Sequence, residues 1–175
     1  MSGLSRLARC TSATAAVEMA LALPMLLVLI CGSVELGNYF LDEHRLVKAV
    51  RDGARYAARQ DISNFTACTG NPGGTVVADT QNVVMTGLVS GGADYLPNRS
   101  TGTINVTVDH CSTAVNSTTL QGIYSGIKNS GGTVIGAPVV KVDASIPYQP
   151  VIHAFGFSGL NLTINASQQA AVMGW

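Results

Sequence analysis

One glutamate lies inside a long apolar run near the start of this 175-residue chain. Glu18 is followed by no other charged residue until Glu35, and no Lys or Arg occurs between Arg9 and Arg45. An ionised carboxylate is costly inside a bilayer, and acidic side chains in spanning segments usually serve a function. Glu18 is therefore the first candidate functional residue. The alternative is a side chain that reaches the headgroup level beside the cytoplasmic face.

The other reactive side chains form no recognisable catalytic or metal-binding motif. His44, His110 and His153 are dispersed along the chain, and none has a second ligand at helical spacing. Asp109, His110 and Cys111 are adjacent, but neighbouring residues of a strand point to opposite faces. We expect no enzyme activity, no metal and no cofactor.

The four cysteines fall into two groups. Cys10 precedes the apolar run and Cys31 lies inside it, so both are expected to be free thiols. Cys68 and Cys111 lie in the polar remainder, where an oxidising compartment allows a disulfide. The alternative is a pair of unrelated buried thiols.

The apolar run around Glu18 predicts a single membrane helix over residues 14–37. A bilayer requires about 20 predominantly apolar residues, and no small-residue signal-peptidase site follows the run. Glu35 lies near the far interface, where contact with water accounts for its charge, and Tyr39 and Phe40 are placed for an aromatic belt. Counting basic residues leaves the orientation open. The cysteines and the composition favour a cytoplasmic N-terminus and an exported C-terminal domain.

A second, amphipathic helical segment is predicted at residues 38–60. Its apolar residues recur at helical spacing, at Leu46, Val50, Ala54 and Ala57. Its basic residues form a second stripe, which consists of Lys48, Arg51, Arg55 and Arg59. Such a basic stripe is typical of a solvated helix face. The functional alternative is a contact with anionic lipid headgroups or with an acidic face of a partner helix.

Residues 61–175 predict a β-rich domain. Thirteen of the twenty Asp, Glu, Lys and Arg residues lie within positions 1–61, and the formal net charge of zero gives no reason to expect nucleic acid as a partner. Three segments alternate apolar and polar residues, beginning at Ile104, Val140 and Leu160. A short helix is predicted at Asp79–Val89, ended by the glycines that follow it. The predicted fold class is α+β, in which a single N-terminal transmembrane helix continues into a long amphipathic helix packed on a small antiparallel β-sheet.

Three stretches of the first sixty residues together resemble a known family. They are Ala-Ala-Val-Glu-Met-Ala-Leu-Ala-Leu-Pro at 15–24, Glu-Leu-Gly at 35–37, and Ala-Val-Arg-Asp-Gly-Ala-Arg-Tyr-Ala-Ala-Arg at 49–59. In order and spacing they resemble the N-terminal signature of TadE-like proteins, the minor pilins or pseudopilins of bacterial tight-adherence (Flp-type) pilus systems. The resemblance implies a pilin-like fold and a role in the biogenesis or assembly of pili used for surface attachment. It also implies an inner-membrane protein with a periplasmic domain, whose partners are other pilins and the assembly machinery.

The resemblance further implies a processing site. In this family a membrane-embedded prepilin peptidase removes a cytoplasmic leader, so that the glutamate becomes the fifth residue of the mature chain. Here the cut falls between Ala13 and Thr14, which makes residues 1–13 the leader. Family leaders usually end in Gly, and Ala13 is the nearest substitute in size. Glu18 would then neutralise the new Thr14 amine of a neighbouring subunit and set the inter-subunit register.

A function of another class remains open at this stage. A signal-anchored periplasmic binding or sensing module, unrelated to any fibre, would show the same anchor followed by a polar domain. The mature N-terminus separates the two hypotheses, because only the pilin hypothesis requires cleavage before Thr14.

Overall fold

The computed structural model describes residues 11–95, 102–112, 114–115, 118–119, 128, 132, 134, 136–152 and 161–174. By its internal contacts the chain divides into two compact units. The helical unit comprises Met1–Phe40 and Pro150–Leu160, and the sheet unit comprises Leu41–Gln149 and Asn161–Trp175.

One uninterrupted helix, α1 (Thr11–Ala58), covers the predicted membrane segment at 14–37 and the predicted extension at 38–60 except for its last two residues. Its sequence is rich in Ala and Leu, which lose little conformational freedom in a helix, and Pro24 lies within it. At its end, Arg59 N and Gln60 N donate to carbonyls three residues earlier, which tightens the last turn. Met173 N donates to Ala58 O over 2.8 Å, so the C-terminal segment satisfies one of the carbonyls that a helix end leaves unpaired.

The sheet confirms the predicted antiparallel arrangement. Its three strands are β1 (Thr103–Ser112), β4 (Ala137–Pro147) and β5 (Thr163–Ala171), and β4 lies between the other two. Between β1 and β4 the chain forms the two-residue strands β2 (Ala114–Val115) and β3 (Thr118–Thr119), which pair with each other. The register places apolar residues of β1 and β4 opposite one another, for example Val106 opposite Val142.

The buried face of this sheet and the buried side of α1 form the core of the sheet unit. Leu46 is 1% exposed and lines one small cavity together with Ile146 and Ile164 of the sheet. The apolar stripe predicted on the amphipathic segment is confirmed, because each of its four residues is buried. The alternation on β5 is weaker than on the other strands: Ile164 is buried, but Ala166 is half-buried and Leu162 precedes the strand and is exposed.

The second helix, α2 (Val76–Thr86), begins and ends three residues earlier than the sequence predicts. Asp79 N donates to Thr75 O over 2.9 Å, which is the first backbone bond of the helix, and the hydroxyl of Thr75 donates to the carboxylate of Asp79 over 2.6 Å. Gly87 adopts a φ of 75° and its N–H donates to Val83 O, a left-handed cap that ends the helix. The sequence prediction relied on the later glycines and missed this one.

Between the two helices, a 3-10 helix at Ile62–Phe65 turns the chain. The carboxylate of Asp61 accepts a hydrogen bond from Ser63 N over 2.8 Å. That bond lowers the pKa of Asp61, because it favours the ionised form. Phe65 is fully buried, so the turn delivers an aromatic ring to the core.

Candidate functional site

The membrane-length part of α1 exposes apolar side chains around its whole circumference. Each of its large apolar residues from Val17 to Leu36 is between 44% and 70% accessible. A helix that is apolar all round requires an apolar environment. Among the described residues, α1 is the one helix long and apolar enough to cross a membrane, and none of its most apolar 18-residue window is buried by them.

Glu18 lies on this surface and is exposed between Val17 and Met19. The described part of α1 offers it no Lys or Arg before Arg45, which at 1.5 Å per residue is about 40 Å along the helix. Its carboxylate therefore stands in an apolar surface without a basic side chain of α1 near it. A counter-charge from another molecule, or from a new chain terminus, could satisfy it.

The predicted cleavage bond lies at the start of the same helix. α1 begins at Thr11, so the bond between Ala13 and Thr14 lies within its first turn. Thr14 is exposed and precedes Glu18 by four residues, which places both residues on one side of the helix. Cleavage there would leave Glu18 one turn inside a new helix N-terminus.

Glu35 is not in contact with water, contrary to the sequence expectation. It is only 5% exposed, and its two carboxylate oxygens accept hydrogen bonds from Val151 N over 3.1 Å and from Ile152 N over 3.0 Å. All three residues belong to the helical unit. The carboxylate thus fixes the backbone of residues 151–152 against α1. No pattern in the sequence signals this contact, because its partners lie more than a hundred residues away and contribute only backbone amides.

The predicted basic stripe is exposed on the part of α1 that belongs to the sheet unit. Lys48, Arg51, Arg55 and Arg59 are all accessible, on the side away from the buried apolar residues. Arg55 lies 3.8 Å from Asp52, and both side chains are well exposed, so this ion pair contributes little stability. The stripe is therefore free to meet another charged surface.

The two cysteines of the polar region are joined as a disulfide. Cys68 lies in the loop after α1, and Cys111 lies near the end of β1. Val108 N also donates to Gly70 O over 2.6 Å, so a backbone hydrogen bond ties the same loop to the same strand. Cys31, on α1, is free.

The Asp109–His110–Cys111 trio lacks a thiol, because the sulfur of Cys111 is bonded to Cys68. A register shift between Val108 and His110 leaves both Asp109 and His110 on the surface, where they pair over 2.8 Å. The amide of Gln169 also donates to Asp109 over 3.2 Å. Among the described residues, no group of three or more His, Cys, Asp or Glu side chains could hold a metal ion. His153 lies outside the described residues.

Two contacts between α1 and α2 were not expected from the sequence. Tyr56 hydrogen-bonds to Asp79, and its pKa is raised by burial and by the negative charge of that carboxylate. At Gly53 the helices approach so closely that an added Cβ would overlap Val84 Cγ2. Both contacts position α2 against the part of α1 that carries the basic stripe.

Comparison with known proteins identifies one region of similarity. The comparisons with curated proteins and with solved structures gave no match. Residues 13–55, however, match the family described as TadE-like protein. The matched segment contains the predicted cleavage bond, Glu18, the exposed apolar surface and most of the basic stripe. Over residues 13–55, about a quarter of the chain, the sequence is therefore similar to TadE-like proteins.

Proposed function

We propose that this protein is a minor pilin or pseudopilin that assists the biogenesis or assembly of tight-adherence (Flp-type) pili for surface attachment. Residues 1–13 would be its cytoplasmic leader, and residues 14–37 would span the bacterial inner membrane once. Residues 38–60 would continue the helix into the periplasm and carry the domain formed by residues 61–175. The TadE-like match supports this division, because it covers the leader boundary, the anchor and most of the extension.

The observation that carries the proposal is the environment of Glu18. Its carboxylate is exposed on an apolar helix surface, four residues after the proposed cut. After cleavage, the amine of Thr14 would be a positive charge at a helix N-terminus, where the macrodipole disfavours it. An acidic side chain of a neighbouring helix satisfies such an amine best where water is absent, because the attraction there is far stronger than in water. Pairing between subunits would satisfy both charges and fix the register of the helices.

Export of the C-terminal domain is supported by its sulfur chemistry. The pair Cys68 and Cys111 is joined in the structure, and disulfides persist in oxidising compartments such as the bacterial periplasm. The cytoplasmic end would then be the short segment that carries Arg6 and Arg9.

The proposed partners follow from the two exposed surfaces of α1. The prepilin peptidase would act at Ala13–Thr14, and other pilins would pack against the apolar surface around Glu18. The basic stripe would meet anionic headgroups or an acidic face of a component of the assembly machinery. These contacts are compatible with a protein that enters the pilus and with one that stays at its base.

Substitution of Glu18 by Gln tests the proposed register. The change removes the charge and keeps the shape, and Glu43→Gln on the same helix, beyond the apolar surface, is the matched control. Losing one partner of a desolvated ion pair costs about 3–5 kcal/mol, and every 1.4 kcal/mol is tenfold in an equilibrium constant. We therefore expect at least a tenfold drop in sheared pili for Glu18→Gln and normal pili for Glu43→Gln.

The same strains must also be compared for the amount of protein in the membrane fraction. Unchanged membrane levels with few pili would support a role in assembly. Normal piliation of the Glu18→Gln strain would refute the register proposal, and loss of the variant from the membrane would assign Glu18 to insertion instead.

A further inference from the structure

The contact between Glu35 and residues 151–152 lies within an apolar surface. It hides a carboxylate and two backbone N–H groups from the surroundings at a place where the neighbouring surface is apolar. Val34 and Leu36 are 53% and 56% exposed on either side of Glu35, and Val151 is 60% exposed. The surface at this end of the helical unit therefore presents aliphatic side chains, while its strongest polar groups satisfy one another.

The position of Glu35 along α1 indicates how deep in a bilayer this surface would lie. The exposed apolar stretch from Val17 to Leu36 spans about 30 Å at 1.5 Å per residue, which equals the thickness of the hydrocarbon core of a bilayer. Glu35 stands at the far end of that stretch. Tyr39 and Phe40 follow it with their rings in an edge-to-face contact at 6.1 Å, and the next acidic residue is Asp42. With this stretch in the hydrocarbon core, Glu35 would lie at the boundary between acyl chains and headgroups.

The chemistry of the contact fits that boundary. A carboxylate or an unpaired backbone N–H is costly where water is scarce. In full contact with water, the carboxylate and the two N–H groups could each hydrogen-bond to water instead of to one another. Pairing Glu35 with Val151 N and Ile152 N removes three polar groups at once. A second segment of chain can then lie beside the anchor at membrane depth.

The sequence on both sides of the contact is compatible with lipid. The described residues of the second segment are Pro150, Val151 and Ile152, and none of them carries a charge. Aliphatic and aromatic residues without charge are what the headgroup–acyl boundary accepts. An acidic or basic segment held at this depth would be repelled.

We propose that Val151 and Ile152, held by Glu35, form a second membrane contact of this protein at the periplasmic headgroup–acyl boundary. The occupant of this surface is the lipid bilayer itself, because the contact is continuous with the exposed apolar surface of α1. This inference rests on the proposed membrane anchor. It does not depend on cleavage at Thr14 or on assembly into a fibre.

Fluorescence quenching in vesicles tests the contact directly. The chain has one tryptophan, Trp175, so a Trp175→Phe background leaves a single probe in each of three full-length variants. Val151→Trp reports on the proposed contact, Leu26→Trp on the anchor, and Asn105→Trp on the exposed polar side of the sheet. Each variant is reconstituted at low protein density in phosphatidylcholine vesicles whose acyl chains carry bromine at a shallow or a deep position.

For Val151→Trp we expect about a twofold or larger loss of emission with shallow bromine and a smaller loss with deep bromine, because boundary segments lie only about 5–10 Å into the bilayer. Leu26→Trp should respond more to deep bromine, and Asn105→Trp should respond to neither. Adding Glu35→Gln to Val151→Trp should weaken the quenching, since one of the two acceptor oxygens becomes an NH2 group, which cannot accept from the backbone N–H that faces it. Glu43→Gln is the matched control and should change nothing.

The three probes distinguish failure of the second contact from failure of the membrane anchor. If Leu26→Trp is quenched and Val151→Trp is not, the second contact is overturned while the anchor stands. A probe at position 151 shielded from both bromine and aqueous iodide would show protein cover and would also overturn it. Quenching that Glu35→Gln leaves unchanged would overturn the role of the carboxylate. If Leu26→Trp itself is not quenched, the anchor fails, and the second contact fails with it.

Discussion

Glu18 and Glu35 are two carboxylates of one helix whose charges are satisfied in different ways. Glu35 is buried and accepts hydrogen bonds from two amides of its own chain. Glu18 is exposed among apolar side chains, and under the proposed function its counter-charge comes from a second subunit. Residue type and apolar context made Glu18 a candidate from the sequence. The same context gave the wrong expectation for Glu35, because its partners are backbone groups that carry no sequence signature.

Tyr56 provides a prediction for the pH dependence of stability. Burial and the carboxylate of Asp79 raise its pKa, so the folded state favours the protonated phenol more than the unfolded state does. This contribution is fully present below the unfolded pKa of about 10 and is lost as the pH rises through the higher folded value. We therefore expect a decline in stability above about pH 10 to which Tyr56 contributes.

Tyr56→Phe should flatten that alkaline decline and should lower stability near neutral pH by about 1 kcal/mol, the net value of one hydrogen bond. Chemical unfolding of the full chain in micelles at neutral and alkaline pH measures both effects. Tyr95→Phe is the control, because Tyr95 is 47% exposed. An alkaline decline identical in wild type and Tyr56→Phe would show that the contact with Asp79 does not couple to folding.

At the scale of elements, periodicity predicted the part of α1 in the sheet unit and the strands β1 and β4, since each of these buries one face. The rest of α1 was predicted from the length of its apolar run. The start of α2 was missed because the backbone bonds of the helix already begin with Asp79 N and Thr75 O. Its end was missed because Gly87 stops it before the apolar pair Leu88 and Val89. The register shift near Asp109 also has no sequence signal. These features depend on local hydrogen bonds, and apolar patterning does not report them.

At Gly53, where α1 contacts α2, the effect of a Gly→Ala substitution on stability should depend on the residue at position 84. An added Cβ would overlap Val84 Cγ2, and Val84 is fully buried, so Gly53→Ala should destabilise the protein. Overpacking costs typically 1–3 kcal/mol, against about 1 kcal/mol gained in helix propensity. In a Val84→Ala background the obstructing methyl is absent, and the same Gly53→Ala change should then stabilise.

Chemical unfolding of the four variants of this cycle measures the reversal. Gly37→Ala is the matched control on the same helix, because a Cβ there meets nothing within 4 Å. If Gly53→Ala has the same effect with Val84 and with Ala at position 84, the two helices do not meet at Gly53 as closely as the structure shows.

At the scale of the whole molecule, the similarity to a known family ends within α1, before the first strand of the sheet begins. The TadE-like match stops at residue 55, whereas most of the sheet unit lies beyond it. The sequence nevertheless identified the correct cysteines, because Cys68 and Cys111 are the only two in that region. Their pairing links the loop after α1 to β1 across a sequence separation of 43 residues.

The disulfide predicts which cysteines can be alkylated and how much stability is lost when both of its cysteines are replaced. Alkylation of the unfolded, unreduced protein should label Cys31 and spare Cys68 and Cys111, as peptide mass spectrometry can verify. A Cys68→Ser/Cys111→Ser variant should lose about 2–4 kcal/mol of stability, mainly because its unfolded chain is less constrained. Cys31→Ser is the control, since Cys31 is free. Labelling of Cys68 in protein isolated from the envelope would argue against an oxidised, exported domain.

In the proposed function, Glu18 is an assembly residue whose position is defined by a cut after Ala13. Intact-mass and N-terminal peptide analysis of the protein purified from membranes of piliated cells tests it most directly. We expect a mature chain that begins at Thr14 and lacks residues 1–13. A chain that retains its leader, with Met1 intact or with only Met1 removed, would contradict it and would favour a signal-anchored module outside any pilus.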